Sequence, residues 1–234
     1  MTTAPSVAET NFDAVAAVYD DVFAAHVREH YLGKRTAYIF RHAPATTALD
    51  VGAGTGLLAE RLHDLGIGVA ALDPFPQMLD RLGERRPEIP RLVGRGHDLP
   101  VPDDAFDLVY SVAVMHHIAD PELVQRTLAE MVRAARPGGR VLVWDHNPLN
   151  PYWPLIMRRV PQDSGAERLV PMAELIAGLT AAGAEIVRAE RLGLMPEFVP
   201  PSLLGLATRI ERAVESTPGV RTMCAHNVVL AVKG

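Results

Sequence analysis

Histidines that follow apolar runs are the side chains of this sequence best suited to proton transfer. His116 and His117 come shortly after the run 106–111. Asp145 ends the next long run, 140–145. An imidazole takes up and returns a proton near neutral pH, which is the work of a general base. The other interpretation is that these histidines only hydrogen-bond to backbone where a strand ends.

A glycine-rich turn is the second chemical feature. Gly52, Gly54 and Gly56 lie between the apolar run 43–51 and a helical pattern over 57–62. A strand, a glycine turn and a helix in this order aim backbone N–H groups at a nucleotide-like ligand. Glycine lets the backbone turn sharply and lets a ligand approach without meeting a Cβ. The turn alone is a weak signal, because tight strand-to-helix turns need glycine without any ligand.

Two acids sharpen the interpretation of the turn. The spacing is Gly-x-Gly-x-Gly, whereas a dinucleotide-binding turn has Gly-x-Gly-x-x-Gly. Asp50 precedes the first glycine by two residues, which disfavours a pyrophosphate and suits an ammonium group. The following run, 69–72, ends at Asp73, where a carboxylate accepts both hydroxyls of a ribose. A ribose with a positively charged group and no phosphate describes S-adenosylmethionine.

At this point the sequence resembles the class I S-adenosylmethionine-dependent methyltransferases, whose first motif is matched by Leu49-Asp-Val-Gly-Ala-Gly-Thr-Gly56. It is similar to small-molecule members, such as the quinone and sugar methyltransferases, from Tyr19 to about Asn147. The resemblance implies S-adenosyl-L-methionine as cofactor and S-adenosyl-L-homocysteine as product. It also implies that Tyr19 reaches the cofactor's carboxylate, although an ordinary helix residue would fit that position equally well. The expected cofactor-binding residues are Tyr19, Asp50, Gly52, Gly54, Gly56, Asp73, Pro74, Met78, Gly96, His97 and Ser111.

Recognition of adenine departs from the family's pattern. An acid usually follows the third strand and contacts the adenine amino group, but Arg95 stands there. A backbone N–H of Gly96 or His97, or the side chain of Asp98, is left as a substitute. The apolar residues expected against the adenine face are Pro74, Phe75 or Met78.

Methyl transfer requires an acceptor atom aligned at ~3 Å and, for a hydroxyl, a group that takes its proton. If the family's strand order holds, the fourth and fifth strands are neighbours, and Asp145 can orient His116 or His117. We therefore expect His116, His117 and Asp145 to be catalytic, with a hydroxyl oxygen favoured over carbon or nitrogen. Asp145 and Asn147 resemble metal ligands of catechol-type enzymes, but no third ligand is identifiable, so no metal is expected.

Two other functions stay open. A nicotinamide-dependent oxidoreductase on a related fold is disfavoured by the turn spacing and by the lack of a Tyr-x-x-x-Lys pair. A regulatory or scaffold protein that binds S-adenosylmethionine without catalysis is compatible with Arg95, which departs from the family's pattern. The two histidines disfavour this alternative.

The elements around these residues predict one α/β domain. The expected fold is a doubly wound, mostly parallel, seven-stranded Rossmann-like sheet with an N-terminal helical arm and a helical insertion before the last strand. The predicted parts are the arm at 1–44, a cofactor-binding core at 45–147 and an acceptor-pocket half at 148–234 with the insertion at 194–220.

Composition limits the partners. The net charge of −5 gives no electrostatic argument for nucleic acid, and no run approaches the ~20 apolar residues of a membrane span. Cys224 is the only cysteine, and the first ten residues show no signal peptide, so a cytoplasmic protein is expected. A small-molecule acceptor is the expected partner, without nucleic acid or membrane, and the oligomeric state is open.

Overall fold

The computed structural model describes residues 11–22, 24–153 and 167–234. Phe23, the first ten residues and the segment 154–166 lie outside the described residues. The predicted arm at 1–44 and the predicted pocket half at 148–234 are therefore described in part, and their bounds stay predictions.

Seven strands form one sheet. The strands are β1 (Thr47–Val51), β2 (Gly68–Asp73), β3 (Arg91–Val93), β4 (Phe106–Val112), β5 (Ala135–His146), β6 (Ala184–Leu192) and β7 (His226–Lys233). Their order is β3-β2-β1-β4-β5-β7-β6, and β7 runs antiparallel to both of its neighbours while the other pairs are parallel. This confirms the predicted mostly parallel sheet and places β4 beside β5, as expected.

Helices cover both faces of the sheet, which makes the fold doubly wound. The α-helices among the described residues are α1 (Ala25–His42), α2 (Leu57–Asp64), α3 (Pro76–Arg85), α4 (Pro121–Ala134), α5 (Met172–Ala181) and α6 (Leu204–Ser216). Buried side chains of α1, α2 and α3 share one core cluster, and those of α4 and α5 share another on the opposite face. The α6 helix lies in the connection between β6 and β7, where an insertion was predicted.

The start of α4 shows how local sequence sets an element. The Asp120 side chain accepts a hydrogen bond of 2.8 Å from the Glu122 N–H, and Pro121 occupies the first helical residue. A proline there loses no helical hydrogen bond, since the first N–H groups of a helix have no partner. Val124 and Leu128 then recur on the buried face. These features set the start of α4 at Pro121.

Two predicted boundaries differ from the structure. The fifth strand was predicted to begin at Arg140, but β5 begins at Ala135, which pairs with Phe106 before the register shifts. A bulge of this kind absorbs extra residues within a strand, and here these residues include Pro137, Gly138 and Gly139. The first forty residues were predicted to be helical, but among the described residues before α1 the arm has two short 3-10 turns, Phe12–Val15 and Tyr19–Asp21.

The carboxyl ends of β1, β2, β4 and β5 meet at one edge of the sheet, together with the first residue of β7. Ligands bind at this edge in open α/β sheets. None of the helices in the described parts of the chain has the length and apolar character needed to cross a membrane.

Candidate active site

A cavity of about 720 Å³ opens at this edge of the sheet. The glycine turn and the end of β2 form one half of its wall. The ends of β4 and β5, the start of β7 and the loop before α6 form the other half, and the arm and α1 contribute to both. The volume lies in the range usual for small-molecule sites.

Asp73 is a fixed carboxylate in the first half of the cavity. Its Oδ2 accepts a hydrogen bond of 2.8 Å from the Gly54 N–H, and its Oδ1 accepts one of 2.9 Å from the Phe75 N–H. Burial raises its pKa to about 6, although these two hydrogen bonds oppose the shift. Asp73 is thus held between the glycine turn and the start of α3, in a position where it can accept donors from a ligand.

Asp50 and Arg35 bring opposite charges to the same cavity. Asp50 accepts a hydrogen bond of 3.0 Å from the Tyr110 hydroxyl, and burial raises its pKa to about 7. The Arg35 guanidinium carbon lies 5.6 Å from the centroid of the Tyr31 ring, and its buried Nε has no hydrogen-bond partner among the described residues. An acid and a base facing one cavity suit an amino-acid group, with its ammonium toward Asp50 and its carboxylate toward Arg35.

Arg35 was not found from the sequence. Its signal there is weak, because a basic residue on a predicted surface helix is usually a solvated one. Its position four residues after Tyr31 on α1 places both side chains on the same helix face. Tyr19, the residue predicted to reach the cofactor's carboxylate, also lines the cavity.

The three glycines of the turn have different roles. All have positive φ, at 78°, 56° and 77° for Gly52, Gly54 and Gly56. A Cβ on Gly52 would lie 2.4 Å from a methyl carbon of Val114, and a Cβ on Gly56 would lie 2.8 Å from Leu82. A Cβ on Gly54 would meet only the Met78 methyl at 3.5 Å, an ordinary contact. Gly52 and Gly54 line the cavity and Gly56 does not, so packing explains Gly56.

The remaining residues considered for cofactor binding differ in whether they line the cavity. Pro74, Met78, Gly96 and His97 line the cavity, and so do Phe75 and Arg95. Asp98 is not among the lining residues; its N–H donates to the Arg95 carbonyl at 3.1 Å and closes a turn. This leaves backbone groups of 96 and 97 as the candidates for adenine.

Ser111 is a correction to the predicted site. It is fully buried in β4 and is not among the residues that line the cavity. Successive side chains of a strand point to opposite faces of the sheet. Tyr110 and Val112 face the cavity side, so Ser111 lies on the face covered by α4 and α5.

His116 forms the predicted pair with Asp145. Its Nδ1 lies 2.8 Å from Asp145 Oδ1, and the same carboxylate accepts the N–H groups of Val114 (3.0 Å), Met115 (2.6 Å) and His146 (2.6 Å). Although burial opposes ionisation, His116 and these N–H groups hold the pKa of Asp145 below its usual value. Because Nδ1 is occupied, Nε2 is the His116 nitrogen left to face the cavity.

His117 has different surroundings. Its ring packs edge-to-face against Phe12 with centroids 4.9 Å apart, and its buried Nδ1 has no hydrogen-bond partner among the described residues. Burial and the neighbouring His116 lower its pKa to about 3. His117 lines the cavity as well, but its Nδ1 lacks the carboxylate partner that Asp145 gives to His116 Nδ1.

Three flat rings form a stack beside the dyad. The His146 ring lies between His116, at 4.0 Å and 14°, and Trp153, at 3.8 Å and 5°. His226 lies opposite His146 in the antiparallel register of β5 and β7, and the two rings are 5.5 Å apart. Burial lowers the pKa of His226 to about 3 and that of His146 well below its usual value. The sequence did not reveal His226, because the register of β7 was not known.

His116, Asp145 and His146 offer ligand atoms within 4.8 Å of one another, which is close enough to consider a metal ion. However, both Asp145 oxygens already accept hydrogen bonds. The nitrogen lone pairs of two parallel stacked rings also run side by side and do not converge on one point. This donor set holds a proton more readily than a metal.

Asn147, compared above with a metal ligand, has a structural role. Its Nδ2 donates to the carbonyls of Thr222 (2.9 Å) and Cys224 (2.8 Å), and it is not among the cavity-lining residues.

The predicted pocket wall lines the second half of the cavity. Tyr152 and Trp153 contribute from one side, and the segment 194–199 and Ile210 contribute from the other. The Trp153 indole N–H donates to the Ala225 carbonyl at 2.6 Å, which fixes its ring against the stack. This half is mainly apolar and aromatic, which suits an organic ligand.

Comparisons with known proteins identify the family of this chain. Residues 49–143 match a family described as a methyltransferase domain. The chain is 43% identical over 104 residues to an uncharacterized methyltransferase of Mycobacterium tuberculosis, a match that covers 44% of this chain and only 41% of that relative. It is 33% identical over 164 residues to a demethylmenaquinone methyltransferase of Renibacterium salmoninarum, covering 64% of this chain and 68% of the relative.

A solved structure supports the fold. An S-adenosylmethionine-dependent methyltransferase of Thermotoga maritima, described as a possible histamine N-methyltransferase, superposes with a TM-score of 0.71 at 19% identity, over 97% of this chain and 99% of that one. With the cavity, the glycine turn and the family match together, the chain belongs to the S-adenosylmethionine-dependent methyltransferases.

Proposed function

We propose that this protein transfers a methyl group from S-adenosylmethionine to a hydroxyl oxygen of a small organic acceptor, with His116 as the general base. The observation that carries the proposal is the His116–Asp145 pair, whose free ring nitrogen faces the cavity that the glycine turn also lines. A carboxylate that holds one imidazole nitrogen leaves the other to take a proton.

The first half of the cavity suits the cofactor. Asp73 would accept the ribose hydroxyls, Asp50 would face the ammonium group, and Arg35 with Tyr19 would face the carboxylate. Gly54 leaves room for the ligand above the turn, since a Cβ there would point at open space next to Met78. When bound, the cofactor supplies a methyl group that its sulfonium already activates.

The protein's part in the reaction is then to align the acceptor and to move one proton. As the acceptor oxygen gains its methyl group, its O–H bond breaks and the proton passes to His116 Nε2. Asp145 stabilises the imidazolium that forms, and its four hydrogen-bond donors keep it in place. The apolar walls near Trp153 exclude water from this step.

The shape of the second half favours a flat acceptor. Both faces of His146 are covered by His116 and Trp153, so a planar conjugated acceptor would stack on the outer face of Trp153. One relative is named for demethylmenaquinone. A quinone-like acceptor is therefore a second candidate, and it belongs in the first set of compounds to be screened.

The test compares two adjacent histidines. Turnover would be screened with phenols, hydroxyquinones and demethylmenaquinone, and the best acceptor would be used for His116→Ala and His117→Ala. We expect His116→Ala to lower kcat by ~10²–10⁴-fold, which is the usual contribution of a positioned general base. His117→Ala is the matched control, and it should lose less than about tenfold because the His117 Nδ1 has no hydrogen-bond partner among the described residues to orient the ring.

Calorimetric titration with S-adenosylhomocysteine separates loss of chemistry from loss of binding. Both variants should bind it as the wild-type protein does. Full activity of His116→Ala would leave alignment alone as the mechanism. Tight cofactor binding without turnover of any acceptor would support the regulatory alternative, and binding of NAD in its place would support an oxidoreductase.

A further inference from the structure

The α6 helix has its polar and apolar faces inverted. Glu211 is only 1% exposed, and it accepts hydrogen bonds from the His30 ring (2.8 Å) and the Leu194 N–H (2.7 Å). Leu206 is 57% exposed and Ile210 is 52% exposed. A helix on the surface of a water-soluble domain normally buries its leucines and exposes its glutamates. The outer face of α6 is therefore suited to something other than water.

The exposed apolar side chains lie beside the mouth of the cavity. We call Phe198, Leu203, Leu206 and Ile210 the apolar rim. Leu203, Leu206 and Ile210 recur at spacings of three and four, which places them on one helical face. Phe198 is 76% exposed and, like Ile210, also lines the cavity. The rim is thus continuous with the cavity's apolar wall.

Exposed arginines flank the rim. Arg209 and Arg212 lie on α6, and Arg221 follows in the next turn of chain. The two acids of α6 point inward, since Glu211 is buried and Glu215 pairs with Lys34 and accepts the Gly193 N–H. The solvent-facing side of this helix is therefore basic, although the whole chain carries a net charge of −5.

We propose that the apolar rim and its arginines bind the surface of an anionic lipid bilayer. An apolar face with aromatic and leucine side chains beside a basic face is the pattern of helices that lie in the membrane interface. A stable protein partner needs roughly 800 Å² on each side, and four half-exposed side chains provide much less. This proposal departs from the sequence-based expectation of no membrane partner, which rested on the lack of an apolar run long enough to span a bilayer.

This docking would turn the mouth of the cavity toward the bilayer. An apolar acceptor dissolved in the membrane would then reach the cavity without crossing water. The docking itself does not depend on which acceptor is used, so it is tested without one.

The test is co-flotation of the full chain with vesicles of phosphatidylcholine alone and of phosphatidylcholine mixed equally with phosphatidylglycerol. We expect binding to the mixed vesicles, weaker binding to the neutral ones, and loss of binding at high salt. Leu206→Glu should lower the partition coefficient at least about tenfold, because a charge replaces an exposed leucine that would enter the apolar part of the membrane interface. Leu65→Glu is the matched control, since Leu65 is 51% exposed at the end of α2.

A second pair of variants tests the charge. Arg209→Gln should weaken binding to the mixed vesicles about fivefold, the usual contribution of one basic residue near an anionic surface. Arg41→Gln, an exposed arginine at the end of α1, should leave binding unchanged. Thermal unfolding and S-adenosylhomocysteine affinity would verify that each variant is folded.

Absence of binding to the mixed vesicles, or equal losses in Leu206→Glu and Leu65→Glu, would overturn the proposal. Sedimentation velocity tests the remaining alternative, in which the apolar rim joins two copies of this chain. A dimer that Leu206→Glu dissociates, together with no vesicle binding, would assign the rim to a second copy of this chain.

Discussion

Asp73 and Asp50 are both buried carboxylates that face the cavity, and burial raises the pKa of each. Both are therefore more costly to ionise in the empty protein than in water. A ligand that brings hydroxyl donors to Asp73 and a positive charge to Asp50 offsets this cost. The two acids thus favour a ligand of this composition over water.

Replacing Asp73 tests its part in this site. Asp73→Ala should weaken S-adenosylhomocysteine binding by ~1.5–3 kcal/mol, which is the range for hydrogen bonds to a charged group. Asp80→Ala, on the exposed side of α3, is the control and should bind normally. Calorimetric titration measures both, and unchanged affinity in folded Asp73→Ala would place the ribose elsewhere.

Sequence alone identified some of the charged and histidine side chains that line the cavity, and it missed others whose position depends on tertiary structure. Asp73 ends an apolar strand, where an acid has little use in packing, so it was recognisable. His226 needed the register of β7 against β5. Arg35 needed knowledge of which face of α1 turns toward the cavity. Pairing of His116 with Asp145 was predicted only because the strand order could be assumed.

Two glycines of the turn serve different purposes. Gly54 borders the space for a ligand, and Gly56 packs against Leu82 of α3. Gly56→Ala would bring a methyl group to 2.8 Å from Leu82 at a positive φ, so it should lower the melting temperature. Gly54→Ala meets no close contact, so its penalty in the empty protein is the ~1–2 kcal/mol of a left-handed residue.

Thermal unfolding and calorimetric titration distinguish the two variants. We expect Gly54→Ala to lose cofactor affinity by more than its fold stability changes, and Gly56→Ala to show the reverse. Equal losses of stability in both, with affinity retained in Gly54→Ala, would show that the turn serves only the fold.

A buried ionic cluster joins α6 to α1. Glu211 lies 2.9 Å from Lys34 and 2.8 Å from His30, and these partners lower its pKa to about 2 against the effect of burial. Glu211→Gln should destabilise the protein by ~1–3 kcal/mol, because His30 and the Leu194 N–H lose a charged acceptor, whereas Lys34 keeps its ion pair with Glu215. Glu185→Gln, at an exposed position of β6, should change stability little.

Denaturant unfolding measures this loss of stability. Enzyme kinetics and ligand titration then show which half of the cavity the substitution affects. Glu211 lies beside the segment that lines the acceptor half, so Glu211→Gln should also raise the KM for the acceptor while S-adenosylhomocysteine affinity stays near normal. A loss of cofactor affinity equal to the loss for the acceptor would contradict this assignment.

Element boundaries show the same division between local and tertiary information. The start of α4 was predictable because Asp120 and Pro121 act within the first turn of the helix. The start of β5 was not, because Ala135 is a strand residue only through its pairing with Phe106 across a register shift. The arm had helical spacing but forms short turns. Two of its residues are held elsewhere, Asp13 by the Gln77 N–H (2.8 Å) and Asp20 by the Thr55 hydroxyl (2.6 Å).

The two raised pKa values link ligand binding to the stability of the complete protein. An aspartate has a pKa of about 3.9 in an unfolded chain, whereas folding raises Asp73 to about 6 and Asp50 to about 7. The folded state then keeps protons that the unfolded state releases. The contribution of these two carboxyl groups to the free energy of unfolding is therefore fully present below about pH 4, and it is lost as the pH rises through about 6 to 7.

Ligand binding should reverse this trend, because it stabilises the ionised carboxylates. The increase in melting temperature given by saturating S-adenosylhomocysteine should be larger at about pH 8 than at about pH 5. The Asp73→Ala variant should show a smaller difference between the two conditions. If the increase in melting temperature is the same at both pH values, the ligand does not interact with these carboxylates.

The ring stack has a practical use in solution. The chain has two tryptophans. Trp144 is fully buried in the core, and Trp153 lies 3.8 Å from His146 in the cavity wall. A flat molecule bound in the second half of the cavity would lie near the Trp153 indole, which lines that half. The protein therefore contains its own emission reporter at the acceptor site, and Trp153→Phe leaves Trp144 as the background against which that signal is read.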